Sequence, residues 1–160
     1  MGMFTRALTY ILSHGADGLK QVAEDAVLNA NYILRSCEDL LDAPFGPSGP
    51  CMHEALFSDA GFAEGTSTLD LAKALIDEGY HPMTMYFPLV VHGAMLVEPT
   101  ETESKASLDR FILALRSVAE RARAGDPTLK TAPHYAPRRR LDETLAARKP
   151  VLAWSDSAAE

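Results

Sequence analysis

The sequence predicts a single α+β domain that has a small, mainly antiparallel sheet with helices on one face. Its 160 residues can bury one hydrophobic core but not comfortably two. Candidate strands are short and occur in the order helix, helix, strand, helix, strand, strand, helix and tail, which favours an antiparallel sheet. We therefore expect one domain over residues 1–154 and a disordered polar tail over residues 155–160.

Two helices are predicted before the first strand. Apolar residues recur with helical spacing over residues 3–14, and Gly15 is a natural C-terminal stop. A second amphipathic pattern runs from Asp17, which can cap it, to about residue 41. Residues 42–50 contain three prolines and two glycines, a composition that ends the helix and excludes regular structure.

The middle of the chain contains three extended segments and one helix. Residues 51–58 are interpreted as a strand, and residues 83–87 and 90–97 as two more. Between the first and second of these, Ser67 and Asp70 form the capping-box pattern S-x-x-D that opens a helix. Together with the following helix, these segments make a β-α-β-β-α unit.

A second capping-box pattern, Thr100-x-x-Glu103, predicts the start of a long helix that continues to about residue 124. Glu101 lies beside the predicted start, whereas Arg121 and Arg123 lie at the end. This charge distribution suits the helix dipole.

Composition limits the classes of function. A formal charge of −7 argues against nonspecific nucleic-acid binding, and no apolar segment is long enough to span a membrane. Cys37 and Cys51 do not form a disulfide framework, which favours a reducing, cytoplasmic location. The five histidines never occur at zinc-ligand spacing, so no metal site is predicted. His92 falls in a predicted strand, where a partly buried, satisfied imidazole is favoured over a ligand.

The densest polar cluster lies between the last strand and the long helix, over residues 98–104. Helix capping explains most of it, because a strand exit, a proline turn and an acidic helix start are all expected there. Capping does not explain Glu98, which precedes the proline. The alternative is a functional corner that presents carboxylates and helix N-terminal amides to a site. The sequence supports both interpretations about equally.

Two further features leave alternatives open. The basic residues near the C-terminal end could bind a phosphate or an acidic partner, or could form solvated salt bridges with Asp142 and Glu143. The apolar surface is large for one sheet layer. Its excess, which includes Phe4, Tyr10 and Phe87, predicts that part of it is covered by another chain, either a different polypeptide or a second copy.

A series of motifs resembles the C-terminal region of the glycine dehydrogenase (decarboxylating) family, in the second subunit of its two-subunit forms. The most distinctive are Cys51-Met52-His53-Glu54 and Glu98-Pro99-Thr100-Glu101-Thr102-Glu103-Ser104-Lys105. The full series comprises residues 44–46, 51–54, 68–73, 81–89, 91–94, 98–105, 140–143 and 147–150. The likeness extends from about Gly2 to Trp154.

The resemblance implies the small C-terminal domain of a fold-type-I pyridoxal-phosphate enzyme. The family is the P-protein of the glycine cleavage system, an oxidoreductase of glycine catabolism that decarboxylates glycine and transfers the aminomethyl group to a lipoyl carrier protein. None of the five lysines of this chain matches the family's cofactor lysine, so the cofactor is expected on a large domain or subunit. The residues expected to line the cofactor cleft and the lipoyl-arm entrance are His92, Glu98, Thr100, Glu101, Glu103 and His134.

Three functions are therefore open. The first is an enzyme domain that is inactive alone and depends on the large cofactor-binding polypeptide and the lipoyl carrier. The second is a stand-alone binding or regulatory module, and the third is a folded remnant that self-associates through its apolar surface.

Overall fold

The computed structural model describes residues 1–153, so Trp154 and the predicted tail over residues 155–160 lie outside the described part. Two short 3-10 helices, Gly46–Ser48 and Pro127–Thr131, accompany the regular elements. These elements are α1 (Gly2–Cys37), β1 (Ala55–Phe57), α2 (Thr68–Asp77), β2 (Thr84–Met85), β3 (Met95–Val97), α3 (Lys105–Ala124) and α4 (Glu143–Arg148).

The sheet has three antiparallel strands in the order β1-β3-β2, which confirms the predicted α+β class. The register pairs Ala55 with Val97 and Phe57 with Met95, and β2 flanks the other edge of β3. These four side chains are buried in one core with residues of α1, α2 and α3, whereas Leu56 on the opposite face is half-buried. The core therefore lies between one face of the sheet and the helices.

Helix α1 combines the two helices that the sequence predicts. A non-helical residue, Gly15, with φ 62° and ψ −172°, interrupts it where the stop is predicted. Residues 2–14 before the break are all exposed, whereas Ile33 and Cys37 near the far end are fully buried. The predicted end near residue 41 is wrong by about a turn, because the chain leaves the helix after Cys37 to pair Asp42 with Ser58.

All three strands are shorter than predicted, for local reasons. The first strand does not begin at Cys51, because both backbone groups of Cys51 are hydrogen-bonded to the side chain of Asn31. The Cys51 N–H donates to Asn31 Oδ1 at 2.9 Å, and Asn31 Nδ2 donates to the Cys51 carbonyl oxygen at 2.7 Å. The third begins at Met95 because Gly93 has φ +59° and turns the chain. The prediction that His92 lies in a strand is therefore wrong.

The capping box of α2 is confirmed, since the backbone N–H of Ser67 donates to Asp70 Oδ2 at 2.9 Å and the reciprocal bond is also present. The predicted start of the long helix at Thr100 is wrong. Helix α3 begins at Lys105, with Ser104 as its N-cap, and its first turn contains no acidic residue. Thr100 instead has a positive φ of 57°, a turn conformation that a helix N-terminus does not use.

The C-terminal part of the described chain packs mainly through one arginine. Arg140 donates to Asp70 Oδ1 at 2.7 Å and to the carbonyl oxygens of Leu129 and Ala132 at 3.1 Å each. For this arginine the predicted salt bridge to Asp142 or Glu143 is therefore wrong, because a buried carboxylate lies within reach. Among the described residues, no helix is both long and apolar enough to cross a bilayer.

Candidate functional site: an acidic corner beside a cleft

The structure separates the predicted site residues into three places. Glu98 directly follows β3, whereas His92 precedes it by three residues. Strand β3 lies between these two positions, so they are at its opposite ends. His134 lies elsewhere again, against Asp77 at the C-terminal end of α2. Only four of the six remain together, and we call Glu98, Thr100, Glu101 and Glu103 the acidic corner.

Side chains of α1 hold the acidic corner in place. The Nδ2 group of Asn29 donates to the carbonyl oxygen of Thr100 at 2.8 Å and to that of Glu103 at 3.3 Å. The hydroxyl of Tyr10 donates to Glu101 Oε1 at 2.8 Å. Glu101's own backbone N–H and this tyrosine hydroxyl hold the pKa of its carboxyl below the ordinary value, and the same bond raises the pKa of Tyr10. The turn is therefore fixed by long-range contacts and does not depend on helix capping.

The acidic corner forms one side of a cleft of about 430 Å³. Glu98 and Glu103 supply its carboxylates, and Ser107 donates its hydroxyl to Glu103 Oε2 at 2.7 Å. The remaining surface is largely apolar and is contributed by α1, α3 and residues 80–84. Within it, the ring of Tyr80 packs edge-on against the ring of Phe111 on α3. No lysine or arginine occurs in this lining within the part of the chain that the structure describes. The cleft therefore suits a small group that carries positive charge.

A histidine and a fourth carboxylate adjoin the corner. His53 Nε2 lies 3.8 Å from Glu54 Oε1 and 3.9 Å from Glu98 Oε1. The sequence interpretation treated His53 and Glu54 only as part of a family motif. The signal that could have found them is strand register: because Ala55 pairs with Val97, the residues one step further out, Glu54 and Glu98, must lie opposite each other.

His92 is an exposed loop residue. Its side chain is 97% exposed, and Nδ1 lies 3.3 Å from Asp59 Oδ1, whose own side chain is only 12% exposed. The backbone beside it comes so close to Asp59 that a Cβ on Gly93 would stand 1.9 Å from the carboxylate. Thr68 donates its hydroxyl to the Gly93 carbonyl at 2.6 Å. The prediction of a partly buried imidazole is wrong, and the sequence analysis missed Asp59 as its partner.

His134 belongs to a local network at the end of α2. The backbone N–H groups of His134 and Tyr135 both donate to the Asp77 carboxylate, at 2.7 and 2.8 Å. The Nε2 atom of His134 lies 2.8 Å from the hydroxyl of Thr131. Burial alone raises the pKa of Asp77, but these donated bonds outweigh it and hold that pKa below the ordinary value. The structure gives His134 a role in fixing this loop, and His134 is not among the residues that line the cleft.

The described residues do not fit the cofactor that the family resemblance implies. A pyridoxal-phosphate site needs a lysine for the Schiff base and donors for the phosphate. Lys105 is engaged with Asp109 at 2.8 Å and with the Tyr32 hydroxyl at 3.2 Å, and Lys20 pairs with Glu24. The cleft presents carboxylates, which repel a phosphate. The cleft, which has no lysine in its described lining, therefore does not fit this cofactor.

This fold and this cleft define a small α+β domain whose cleft combines carboxylates with an apolar wall. The family model described as "Glycine dehydrogenase, C-terminal domain" matches residues 22–134. The chain belongs to this family, which confirms the resemblance seen in its motifs.

Similar proteins and a solved structure support the same family and fold. The chain is similar to the probable glycine dehydrogenase (decarboxylating) subunit 2 of Caulobacter vibrioides, with 68% identity over 99% of the chain and 30% of that protein. The corresponding protein of Shouchella clausii is 50% identical over 96% of the chain and 31% of its own length. A crystal structure of glycine decarboxylase (P-protein) of the glycine cleavage system, in inhibitor-bound form, superposes with a TM-score of 0.54 at 23% identity, over 69% of this chain and 24% of that one. This last likeness shows the fold.

The chain thus spans about a third of the length of the curated relatives that it matches. The relatives' larger part lies outside the match.

Proposed function

We propose that the chain is the C-terminal domain of a pyridoxal-phosphate-dependent glycine decarboxylase, and that it is inactive without the larger part of that enzyme. The observation that carries the proposal is the 68% identity to a glycine dehydrogenase subunit 2 over 99% of the chain but only 30% of the relative. The missing cofactor donors in the described cleft support the same division of labour. The cofactor is then held by the larger polypeptide, and this domain closes one side of its site.

In this role the acidic corner binds the positively charged group of the substrate and fixes its position. Glycine carries an ammonium group, and Glu98 and Glu103 face a cleft that has no lysine or arginine in its described lining. A carboxylate that accepts a hydrogen bond from an ammonium group gains about 1.5–3 kcal/mol. Asn29 and Tyr10 fix the turn that carries these groups, so little reorganisation is needed when a substrate binds.

Two further elements belong to the proposal. The lipoyl carrier protein is the expected acceptor of the aminomethyl group and would approach the same cleft. The location is the cytoplasm, in keeping with two thiols that are free in the structure. Burial raises the pKa of the Cys37 thiol to about 12, so this cysteine serves packing and has no nucleophilic role.

The test is exchange of carbon between glycine and bicarbonate. The tagged chain is co-expressed with the larger part of the Caulobacter vibrioides relative, and pyridoxal phosphate, the first subunit and the lipoyl carrier are added. We expect exchange with the complement and none by the chain alone. Exchange by the chain alone, or no exchange in a preparation where the intact relative is active, would contradict the proposal.

A second candidate is a binding module without catalysis. The observation that favours it is the exposed segment over residues 2–14, which offers a contact surface separate from the cleft. Capture of the lipoyl carrier by the chain alone, in the absence of any larger polypeptide, would support this function over the first.

A further inference from the structure

The apolar side chains in the first part of α1 are not covered by the described domain. Residues 2–14 are all exposed, and the break at Gly15 separates them from the half of α1 that packs into the core. Helices shorter than about 12–15 residues are marginal in water even with favourable sequences. A helix of this length needs tertiary contacts that the described residues do not supply.

One face of this segment is apolar. Phe4, Leu8, Ile11 and Leu12 follow the i, i+4, i+7, i+8 spacing of a helix face that packs against a partner. Their exposed fractions are 76%, 57%, 49% and 73%. We call these four residues the apolar stripe.

The domain's own surface does not cover the apolar stripe. Tyr10 contacts the rest of the domain by its hydrogen bond to Glu101. At 3.6 residues per turn, Tyr10 lies roughly 100° or more around the helix from each residue of the stripe. The tyrosine therefore faces the acidic corner, while the stripe faces away from it.

A second copy of the chain is a poor match for the stripe. Complete burial of a Leu-sized side chain stabilises by about 1.5–3 kcal/mol at about 25 cal/mol per Å², which corresponds to about 60–120 Å². Four such side chains offer on the order of 240–480 Å² per copy, whereas a stable interface needs about 800 Å² from each partner. The stripe alone therefore cannot hold two copies together, and its partner must also contact other surfaces of this chain, as a polypeptide that closes the cleft does.

We propose that the apolar stripe binds the larger part of the glycine dehydrogenase polypeptide, the part of the relatives that lies outside the match with this chain. This inference rests on the proposed function and assigns its interface. The match to the Caulobacter vibrioides relative covers 99% of the chain, so it includes the stripe, and it leaves the larger part of that protein to supply the partner surface.

The test is co-purification of the tagged chain with the larger part of the Caulobacter vibrioides relative after co-expression. The variant is the double substitution Phe4→Gln and Leu8→Gln, which keeps a helix-favouring residue at both positions. Each substitution should weaken binding about tenfold, from the apolar burial that it removes, so the pair should weaken it about 100-fold. Leu113→Gln is the matched control, because Leu113 is 69% exposed on α3 and belongs to no stripe. It should change binding less than twofold.

The outcomes separate the two proposals. If the unaltered chain binds and supports carbon exchange but the double variant binds equally well, the interface assignment is wrong and the proposed function stands. If the unaltered chain neither binds nor supports exchange, both are wrong. Sedimentation of the chain alone adds a third arm: a stable dimer that the double variant dissolves would show that a second copy occupies the stripe. Unchanged circular dichroism of the variant confirms that its core is folded.

Discussion

Arg140 should stabilise the domain far more than its surface position suggests. Its guanidinium donates to Asp70, whose side chain is only 5% exposed, and to two backbone carbonyl oxygens. Asp70 is also the residue that closes the capping box of α2 through Ser67. One arginine therefore joins the C-terminal segment, the 3-10 helix that follows α3, and the start of α2.

The size of the effect follows from what Arg140→Ala leaves behind. Removing one partner of a buried ion pair costs about 3–5 kcal/mol, because the remaining charge is buried without compensation. Arg140 is 29% exposed and Asp70 keeps its bonds to Ser67, so water and the cap offset part of this loss. We expect a loss of about 3 kcal/mol in the free energy of unfolding, which corresponds to about 6–12 °C in Tm for a chain of this size.

The dependence on pH provides a second check. Burial alone raises the pKa of Asp70, but hydrogen bonds from Arg140 and Ser67 outweigh it and hold the pKa below its ordinary value. The stabilisation is therefore present above the unfolded pKa of about 3.9 and is lost as pH falls through the lower folded pKa. The difference between wild type and Arg140→Ala should shrink below about pH 4.

Urea unfolding followed by circular dichroism measures these differences. Arg138→Ala is the matched control, since Arg138 is exposed and should change stability by less than about 0.5 kcal/mol. Arg140→Lys should be intermediate, because it keeps the charge but loses the planar fork. Equal stability of the Arg140→Ala and Arg138→Ala variants at pH 7 would refute the pairing with Asp70.

Three other predictions concern the sheet end, the helix end and the cleft. Gly93→Ala should lower the free energy of unfolding by about 3 kcal/mol or more, because its φ is positive and the new Cβ would meet Asp59. Gly79→Ala is the control: Gly79 also has a positive φ, +85°, but open space around it, so the loss measured by thermal unfolding should be only about 1–2 kcal/mol. The Arg121 guanidinium holds the pKa of Asp126 at about 2, so an NMR titration of Arg121→Ala should show the Asp126 pKa rising toward the usual 3.9. In the wild type, the stability that this ion pair contributes is present above pH 3.9 and should be lost as the pH falls toward 2. Glu98→Gln in the reconstituted enzyme should lower kcat/KM for glycine about 10–100-fold, whereas Glu64→Gln, on an exposed loop, should not change it.

Features encoded by neighbouring residues could be predicted from the sequence. Ser67 and Asp70 close a capping box three residues apart, and Gly125 ends α3 in the left-handed conformation as its position implies. The break at Gly15 also falls where it was expected. In each case the hydrogen bonds or the backbone conformation involve residues within one helical turn.

Features that depend on distant residues could not be predicted in this way. Thr100 and Glu103 have the spacing of a capping box, but Asn29, 71 residues away from Thr100, binds the Thr100 carbonyl and holds a turn instead. His92 was placed in a strand because the pattern around it is apolar, whereas the approach of Asp59 to Gly93 turns the chain there. Both errors arise because spacing describes what a segment can do alone and contains no information on which side chain reaches it from elsewhere.

Only part of the candidate site could be predicted, again because spacing along the sequence does not show which distant residues meet. The acidic corner was found because its four residues are close in sequence. Glu54 and Asp59 were missed because each meets its neighbour, Glu98 or His92, across the sheet or its adjoining loops. Strand register would have brought Glu54 to Glu98, but only once the three-residue strands were located correctly.

The measurement that tests the central claim most directly is a titration of the chain into a fixed amount of the larger glycine dehydrogenase polypeptide, read as carbon exchange between glycine and bicarbonate. The account predicts exchange that rises from zero and saturates at one chain for each larger polypeptide. Exchange that is independent of the added chain, or that appears with the chain alone, would contradict it.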